Sequence, residues 1–64
     1  MKAIELEVIM DGCALLKYGG SLYEYAGHNA EKRLVFENIK DGICITFSYE
    51  RLTADESKEF TAVY

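Results

Sequence analysis

The sequence predicts one mainly antiparallel β domain, residues 1–64, in which a five-stranded meander or small barrel ends in a short C-terminal helix. Three observations lead to this fold class. Apolar and polar residues alternate over residues 43–50, as in a strand with one buried face. Asp-Gly, which tolerates the positive φ angles of a two-residue hairpin turn, occurs at residues 11–12 and 41–42. The length of 64 residues suits a single domain.

The first strand is predicted over Ala3–Met10. Alternate apolar residues there share one face of an extended chain: Ile4, Leu6, Val8 and Met10. Residues 11–12 then predict a two-residue turn into a second strand over residues 13–18. In that register we expect Leu15 and Lys17 to lie on the core side of the sheet.

Residues 19–21, Gly-Gly-Ser, predict the next turn. A two-residue loop would place Glu24 opposite Leu15 and therefore in the expected core. A three-residue loop with a glycine bulge places Tyr25 opposite Leu15 and turns Glu24 outward. We therefore expect the longer loop.

Residues 34–49 are predicted to form the central hairpin of the sheet. If residues 41–42 are a two-residue turn, Phe36 faces Phe47 across the two strands. The second arm is then expected to supply four core side chains: Ile43, Ile45, Phe47 and Tyr49.

A helix near residues 30–40, capped by Asn29, is the alternative for this region and would make the domain α+β. The apolar residues of the segment scatter around a helical wheel, whereas Leu34 and Phe36 align when the chain is extended. The pattern therefore favours the strand.

After Arg51 the alternating pattern stops. Thr53 and Glu56 form a capping-box signature, which predicts a short helix near residues 54–59. Residues 60–64, FTAVY, are β-prone and predict a sixth strand or a strand that pairs with another chain. In strand number and size the whole domain is similar to SH3-like small barrels, an analogy of architecture without a family motif.

Composition restricts the setting in which the protein works. Half of the residues are hydrophobic, and a domain of this size buries only about 60% of its unfolded surface, so we expect a homodimer. Cys13 and Cys44 lack disulfide-scaffold or zinc-site spacing, so we expect free thiols in a reducing compartment, the cytoplasm. No apolar run approaches a membrane span. The net charge of −4 argues against direct binding to nucleic acid and favours basic partner surfaces.

Catalytic and cofactor motifs are not apparent in the sequence. The single histidine, His28, lies in an expected loop with no nucleophile beside it by any pattern. Lys17 precedes a glycine pair, but the segment lacks Walker spacing and the following helix, so a hairpin turn is favoured over a phosphate loop. We therefore expect no enzyme, no cofactor and no metal site.

The acidic residues supply the main candidate for a binding site. In the predicted registers five glutamates leave the core side, and the predicted C-terminal helix adds three more acids. The candidate partner-binding residues are Glu5, Glu7, Glu24, Glu37 and Glu50, together with Tyr18, which we expect to be exposed. Alternate residues of a strand face lie about 6.5–7 Å apart, a spacing comparable to that of nucleic-acid phosphates. The competing interpretation is that these acids simply keep a small sheet soluble.

The functional hypothesis is a non-enzymatic acidic protein that occludes a basic nucleic-acid-binding surface of another protein. In size and acidity the chain resembles phage-encoded anti-defence proteins, including anti-CRISPR proteins and DNA mimics, although no motif carries that resemblance. Two alternatives stay open. One is a small-ligand-binding or sequestering module at a homo-oligomer interface, and the other is a structural subunit that assembles through its sheet edges.

Overall fold

A computed structural model of the chain describes residues 1–54 and 58–64. It contains a five-stranded antiparallel sheet with strand order β4-β3-β2-β1-β5, accompanied by short helices. In chain order the elements are α1 (Ala3–Met10), β1 (Leu15–Tyr18), β2 (Ser21–His28), β3 (Leu34–Asn38), β4 (Cys44–Phe47), α2 (Tyr49–Leu52) and β5 (Phe60–Val63). The predicted class, a five-stranded antiparallel sheet with a short helix, is confirmed.

The sheet is strongly coiled. β4 and β5 are its two edges, and in a flat sheet four strand spacings would separate them by about 19 Å. Instead, the rings of Phe47 on β4 and Phe60 on β5 pack edge to face with centroids 4.9 Å apart. We call the side that contains these rings the concave face and the opposite side the convex face. The coil gives the sheet the curvature of a small barrel.

The first element is a helix, so the prediction of a strand over Ala3–Met10 was wrong. The Glu5 carboxylate accepts a hydrogen bond from the Lys2 N–H at 3.0 Å, which satisfies a donor at the start of the helix. Leu6 and Ile9, three residues apart, are both fully buried on one helical face. In an extended strand Leu6 and Ile9 would lie on opposite faces, so their joint burial requires the helix.

Gly12 ends α1 instead of forming the predicted hairpin turn. Its φ angle is 82°, in the left-handed region that favours glycine. The Gly12 N–H donates to the Ile9 carbonyl, and the Cys13 N–H donates to the Val8 carbonyl, each at 3.0 Å. These two bonds are those of a Schellman motif. The Asp-Gly pair at residues 11–12 is thus a helix terminus.

Both helices contribute to a core on the concave face. The fully buried side chains include Leu6 and Ile9 of α1, Leu16 and Phe36 of the sheet, and Leu52 of α2. The N-terminal ammonium of Met1 donates to the Leu52 carbonyl at 2.8 Å, which joins the two helical segments. All buried residues of the five strands lie on the concave face, so the helices leave the convex face open.

The β1–β2 hairpin has a two-residue turn, so the predicted three-residue loop was wrong. Gly19 and Gly20 have φ angles of 57° and 80°, as a type I′ turn requires. Leu16, not Leu15, faces Tyr23 and lies in the core. The loop length was predicted on the assumption that Leu15 lies in the core. That assumption came from pairing with a first strand, and α1 occupies this segment instead.

The β3–β4 hairpin keeps the predicted faces, but its register differs by two residues. Phe36 pairs with Ile45, not with Phe47, and the turn extends over residues 39–42. Asn38 causes this register shift. Its side-chain amide oxygen accepts hydrogen bonds from the Lys40 and Asp41 N–H groups, so the turn begins directly after Asn38.

The slipped register changes which side chains of the second arm are buried. Ile43 and Tyr49, both expected in the core, are 67% and 47% exposed. Phe47 is buried and pairs with Leu34. The segment 34–38 is a strand, so the alternative of a helix near residues 30–40 was wrong.

The C-terminal segment differs from the prediction in its helix and adds the fifth strand. α2 begins after Ser48, whose hydroxyl accepts a hydrogen bond from the Arg51 N–H at 3.2 Å. The predicted helix near 54–59, with its Thr53–Glu56 capping box, falls partly on residues 55–57, outside the described residues. β5 pairs with β1 of the same chain, so the β-prone tail is an intramolecular strand.

Candidate functional site

Two of the predicted acids lie side by side on the convex face. Glu24 of β2 and Glu37 of β3 are directly opposite each other in the ladder. The Ile39 N–H donates to the Leu22 carbonyl at 3.1 Å, so by antiparallel alternation the Glu24–Glu37 pair also exchanges backbone hydrogen bonds. Such pairs have Cα atoms about 5.5 Å apart, which brings two carboxylates of the same charge together.

Neither carboxylate has a hydrogen-bond or ion-pair partner among residues 1–54 and 58–64. Lys17 pairs with Leu22 and is therefore diagonal to Glu24, at a backbone separation of about 7–8 Å. Cys44 stands opposite Glu37 on the other side. Like charges directly opposite each other destabilise a sheet, so we expect this pair to lower the stability of the fold, and residues 1–54 and 58–64 supply no hydrogen bond or ion pair that offsets it.

Aliphatic side chains share the convex face with the acidic pair. Four of them project from the convex face and are half-buried: Leu15, Leu22, Val35 and Val63. Glu24 is exposed and Glu37 is half-buried. The convex face therefore combines a small apolar surface with two adjacent negative charges, which is the composition of a docking surface with a charged anchor point.

The other predicted acids lie on the helices. Glu5 and Glu7 belong to α1, and the Glu5 carboxylate is engaged with the Lys2 N–H. Glu50 is in the first turn of α2. Glu7 and Glu50 are exposed. Since both helices serve the concave core, the five predicted glutamates do not form one patch, and only Glu24 and Glu37 are brought together.

Tyr18, the sixth candidate, is half-buried in an aromatic cluster. Its ring stacks on Phe60 at 5.1 Å and meets the edge of Phe47 at 4.9 Å. The guanidinium carbon of Arg51 lies 5.1–5.9 Å from the centroids of these three rings, within the range of cation–π attraction. Tyr18, which was expected to be exposed, therefore packs against the aromatic rings that bring the two edges of the coiled sheet together.

Arg51 closes this cluster toward solvent. Its Nη2 donates to the Glu59 carboxylate at 3.0 Å. That hydrogen bond is the main reason that the pKa of the Arg51 guanidinium is raised above its ordinary value. The sequence contains no pattern that would pair an arginine after β4 with three rings from different strands, so sequence reasoning missed this cluster.

His28 contacts Tyr25 at the rim of the concave face. The Tyr25 hydroxyl and His28 Nδ1 are 2.7 Å apart. A bulge between Tyr25 and Gly27, where Gly27 has a φ angle of 105°, brings both side chains to the same face. Among the residues that the structure describes, no cluster of three or more His, Cys, Asp or Glu side chains could hold a metal ion.

A shallow cleft of about 450 Å³ separates the β1–β2 and β3–β4 turns. Its lining combines turn backbone with a few side chains: Gly20, Ser21, Leu22, Asn38, Ile39, Lys40 and Asp41. The volume is within the range of small-molecule sites, but such sites are usually enclosed by apolar and aromatic walls. This cleft is bounded mainly by two turns, so the convex face is the stronger candidate.

No protein-family model, curated protein or solved structure matches this chain. In the described part of the chain, none of the helices has both the length and the apolar character needed to cross a membrane. The geometry of the convex face therefore carries the functional argument.

Proposed function

We propose that this protein is a non-enzymatic binding protein that covers a basic surface of another protein with the convex face of its sheet. The observation that carries the proposal is the opposed Glu24–Glu37 pair, which has no partner among the described residues. An arginine or lysine from a partner, placed between the two carboxylates, would replace repulsion with charge-assisted hydrogen bonds. The half-buried aliphatic residues around the pair would supply the apolar part of the interface.

The most concrete partner is a nucleic-acid-handling protein. Its basic channel presents arginine and lysine side chains to phosphates, and the opposed Glu24 and Glu37 carboxylates would offer such side chains two adjacent negative groups in place of phosphates. The net charge of −4 would steer the protein toward such a channel and away from nucleic acid itself. An anti-defence inhibitor of the DNA-mimic type would act in this way. The free thiols of Cys13 and Cys44 suit a cytoplasmic setting.

A pull-down from bacterial lysate tests the proposal, with tagged protein and with or without competing DNA. We expect the wild-type chain to capture a basic nucleic-acid-binding protein that DNA displaces. The double variant E24Q/E37Q should bind that protein at least about tenfold more weakly, because close interfacial charge pairs contribute more than about 1.4 kcal/mol.

The matched control is E7Q/E50Q, which removes the same number of charges from exposed helical positions. This variant should bind like the wild type. Equal loss of binding in both double variants would show that binding depends on net charge and not on the Glu24–Glu37 site. Unchanged binding in both variants would also contradict the proposed site.

A further inference from the structure

No strand among residues 1–54 and 58–64 pairs with the outer edge of β4. The Asn38 N–H donates to the Ile43 carbonyl at 2.9 Å, and this pair belongs to the same register as Phe36–Ile45. Hydrogen-bonded pairs alternate along an antiparallel ladder, so the backbone groups of Cys44 and Thr46 point away from β3. An exposed edge of this kind is a template for a further strand.

Two groups near this edge already have partners within the chain. The Arg33 side chain donates to the Thr46 carbonyl at 3.4 Å and to the Thr46 hydroxyl at 3.2 Å. The Gly42 N–H donates to the Asn38 carbonyl at 2.9 Å. In the described part of the chain, the Gly42 carbonyl has only a long contact of 4.0 Å with the Cys44 thiol, which is weaker than a backbone hydrogen bond.

We propose that the β4 edge pairs antiparallel with the β4 edge of a second copy of this chain, with Cys44 opposite its own symmetry mate. In this register each Cys44 exchanges two backbone hydrogen bonds with the other, and each Thr46 N–H donates to the Gly42 carbonyl of the second copy. A regular ladder would add a bond from the Gly42 N–H to the Thr46 carbonyl of the second copy, but here that N–H donates to the Asn38 carbonyl and that carbonyl accepts from Arg33, so this pair keeps one bond. A register centred on Ile45 would draw all its bonds from Cys44–Thr46 pairs and require both Thr46 carbonyls, which already accept from Arg33, to accept a second bond. We therefore place the pairing on Cys44, whose backbone groups supply two bonds without the Thr46 carbonyl.

The side chains agree with this pairing. Ile43 is 67% exposed in the single chain, and in the dimer it stands opposite Ile45 of the second copy on the concave side. Residues 42–46 themselves carry no charge and no proline, the usual protections of a sheet edge, and the charged Arg33 side chain contacts this edge at Thr46. The two Glu37 side chains would be three strand spacings apart, about 14 Å, which exceeds the Debye length of about 8 Å at physiological salt. Their repulsion would therefore not prevent association.

The two cysteines provide a matched test, because both are free and exposed. In C13A only Cys44 remains, and in C44A only Cys13 remains. Paired β4 strands hold the two Cys44 residues at a Cα separation of about 5.5 Å, within reach of a short bismaleimide cross-linker. The effective concentration of such neighbours is in the millimolar range, so at about 10–100 μM protein the C13A variant should cross-link at least about tenfold faster than C44A.

Sedimentation of the untreated chain completes the test. We expect a mass of two chains for the wild type and of one chain for Ile43→Lys, whose exposed position tolerates the lysine within the fold. Equal cross-linking of C13A and C44A, or a wild-type mass of one chain at about 100 μM, would overturn the proposal. The double variant E24Q/E37Q should still cross-link through Cys44, which distinguishes failure of the dimer from failure of the proposed partner site.

Discussion

Leu15 and Leu16 are chemically identical neighbours on β1, yet they have different environments. Leu16 points to the concave face and is fully buried, whereas Leu15 points to the convex face and is half-buried. The same contrast separates Phe36 from Val35 on β3. Which face the helices cover, rather than the hydrophobicity of the residue, decides how deeply a side chain is buried. The convex face therefore holds apolar surface that the isolated fold does not bury fully.

Truncation of the two leucines gives the largest expected difference between the faces. Leu16→Ala should lower the free energy of unfolding by about 2–5 kcal/mol, because it leaves a cavity in a closed core. Leu15→Ala should cost about 1 kcal/mol or less, because the side chain is only half-buried and little cavity remains. Urea denaturation followed by circular dichroism measures both. Equal losses would show that the convex face is as well packed as the concave one.

Asn38 is a polar residue that is buried on the otherwise apolar concave face. Its amide oxygen accepts from the Lys40 and Asp41 N–H groups. Asn38→Ala should therefore cost about 1–3 kcal/mol, since it leaves part-buried donors without a partner. Asn38→Asp keeps the accepting oxygen and should lose less. A thermal midpoint for Asn38→Ala that equals the wild-type value would show that the turn does not depend on this side chain.

The sequence predicts the faces of the β3–β4 hairpin correctly, because a period of two is a property of the strands themselves. The pairing register is harder to predict from the sequence. Asp41-Gly42 is a two-residue turn signal, but the side chain of Asn38 begins the turn earlier and shifts the pairing by two residues. A shift of two residues keeps each side chain on its predicted face of the sheet. Phe36 and Phe47 are therefore buried in the core as expected, although their predicted pairing was wrong.

Residues 1–12 show why the N-terminal segment was harder. Leu6 and Ile9 fit a helical face, but the same sequence also alternates. An Asp-Gly pair is compatible with a hairpin turn and with a helix C-terminus. The choice depends on the Lys2–Glu5 contact and on the core that receives Leu6, both of which require the folded chain.

Glu24 lies outward as expected, although the prediction rested on two errors. The loop was expected to be one residue longer, and Leu15 was expected to be in the core in place of Leu16. These two errors cancel at Glu24. Its pairing with Glu37 could not be read from the sequence, because the β2–β3 register depends on the connecting residues 29–33, where the Asn29 carboxamide accepts two backbone N–H groups.

The smallest expected effect concerns the two carboxylates and has the opposite sign. Glu37→Gln should raise the free energy of unfolding by about 0.2–1 kcal/mol, because it removes a like-charge pair from directly opposed positions. The gain should be largest at low salt and almost absent at about 1 M salt, where the Debye length is about 3 Å. Glu7→Gln, at an exposed helical position, is the control and should show little change.

The same substitution should weaken binding to a basic partner, so stability and affinity would move in opposite directions. That opposition is the behaviour expected of residues that serve binding at the expense of the isolated fold. Denaturation in a salt series, measured alongside partner binding, tests both signs with one variant. If Glu37→Gln leaves stability unchanged at low salt, the two carboxylates do not repel each other, and a positive charge from a partner would have no repulsion to relieve there.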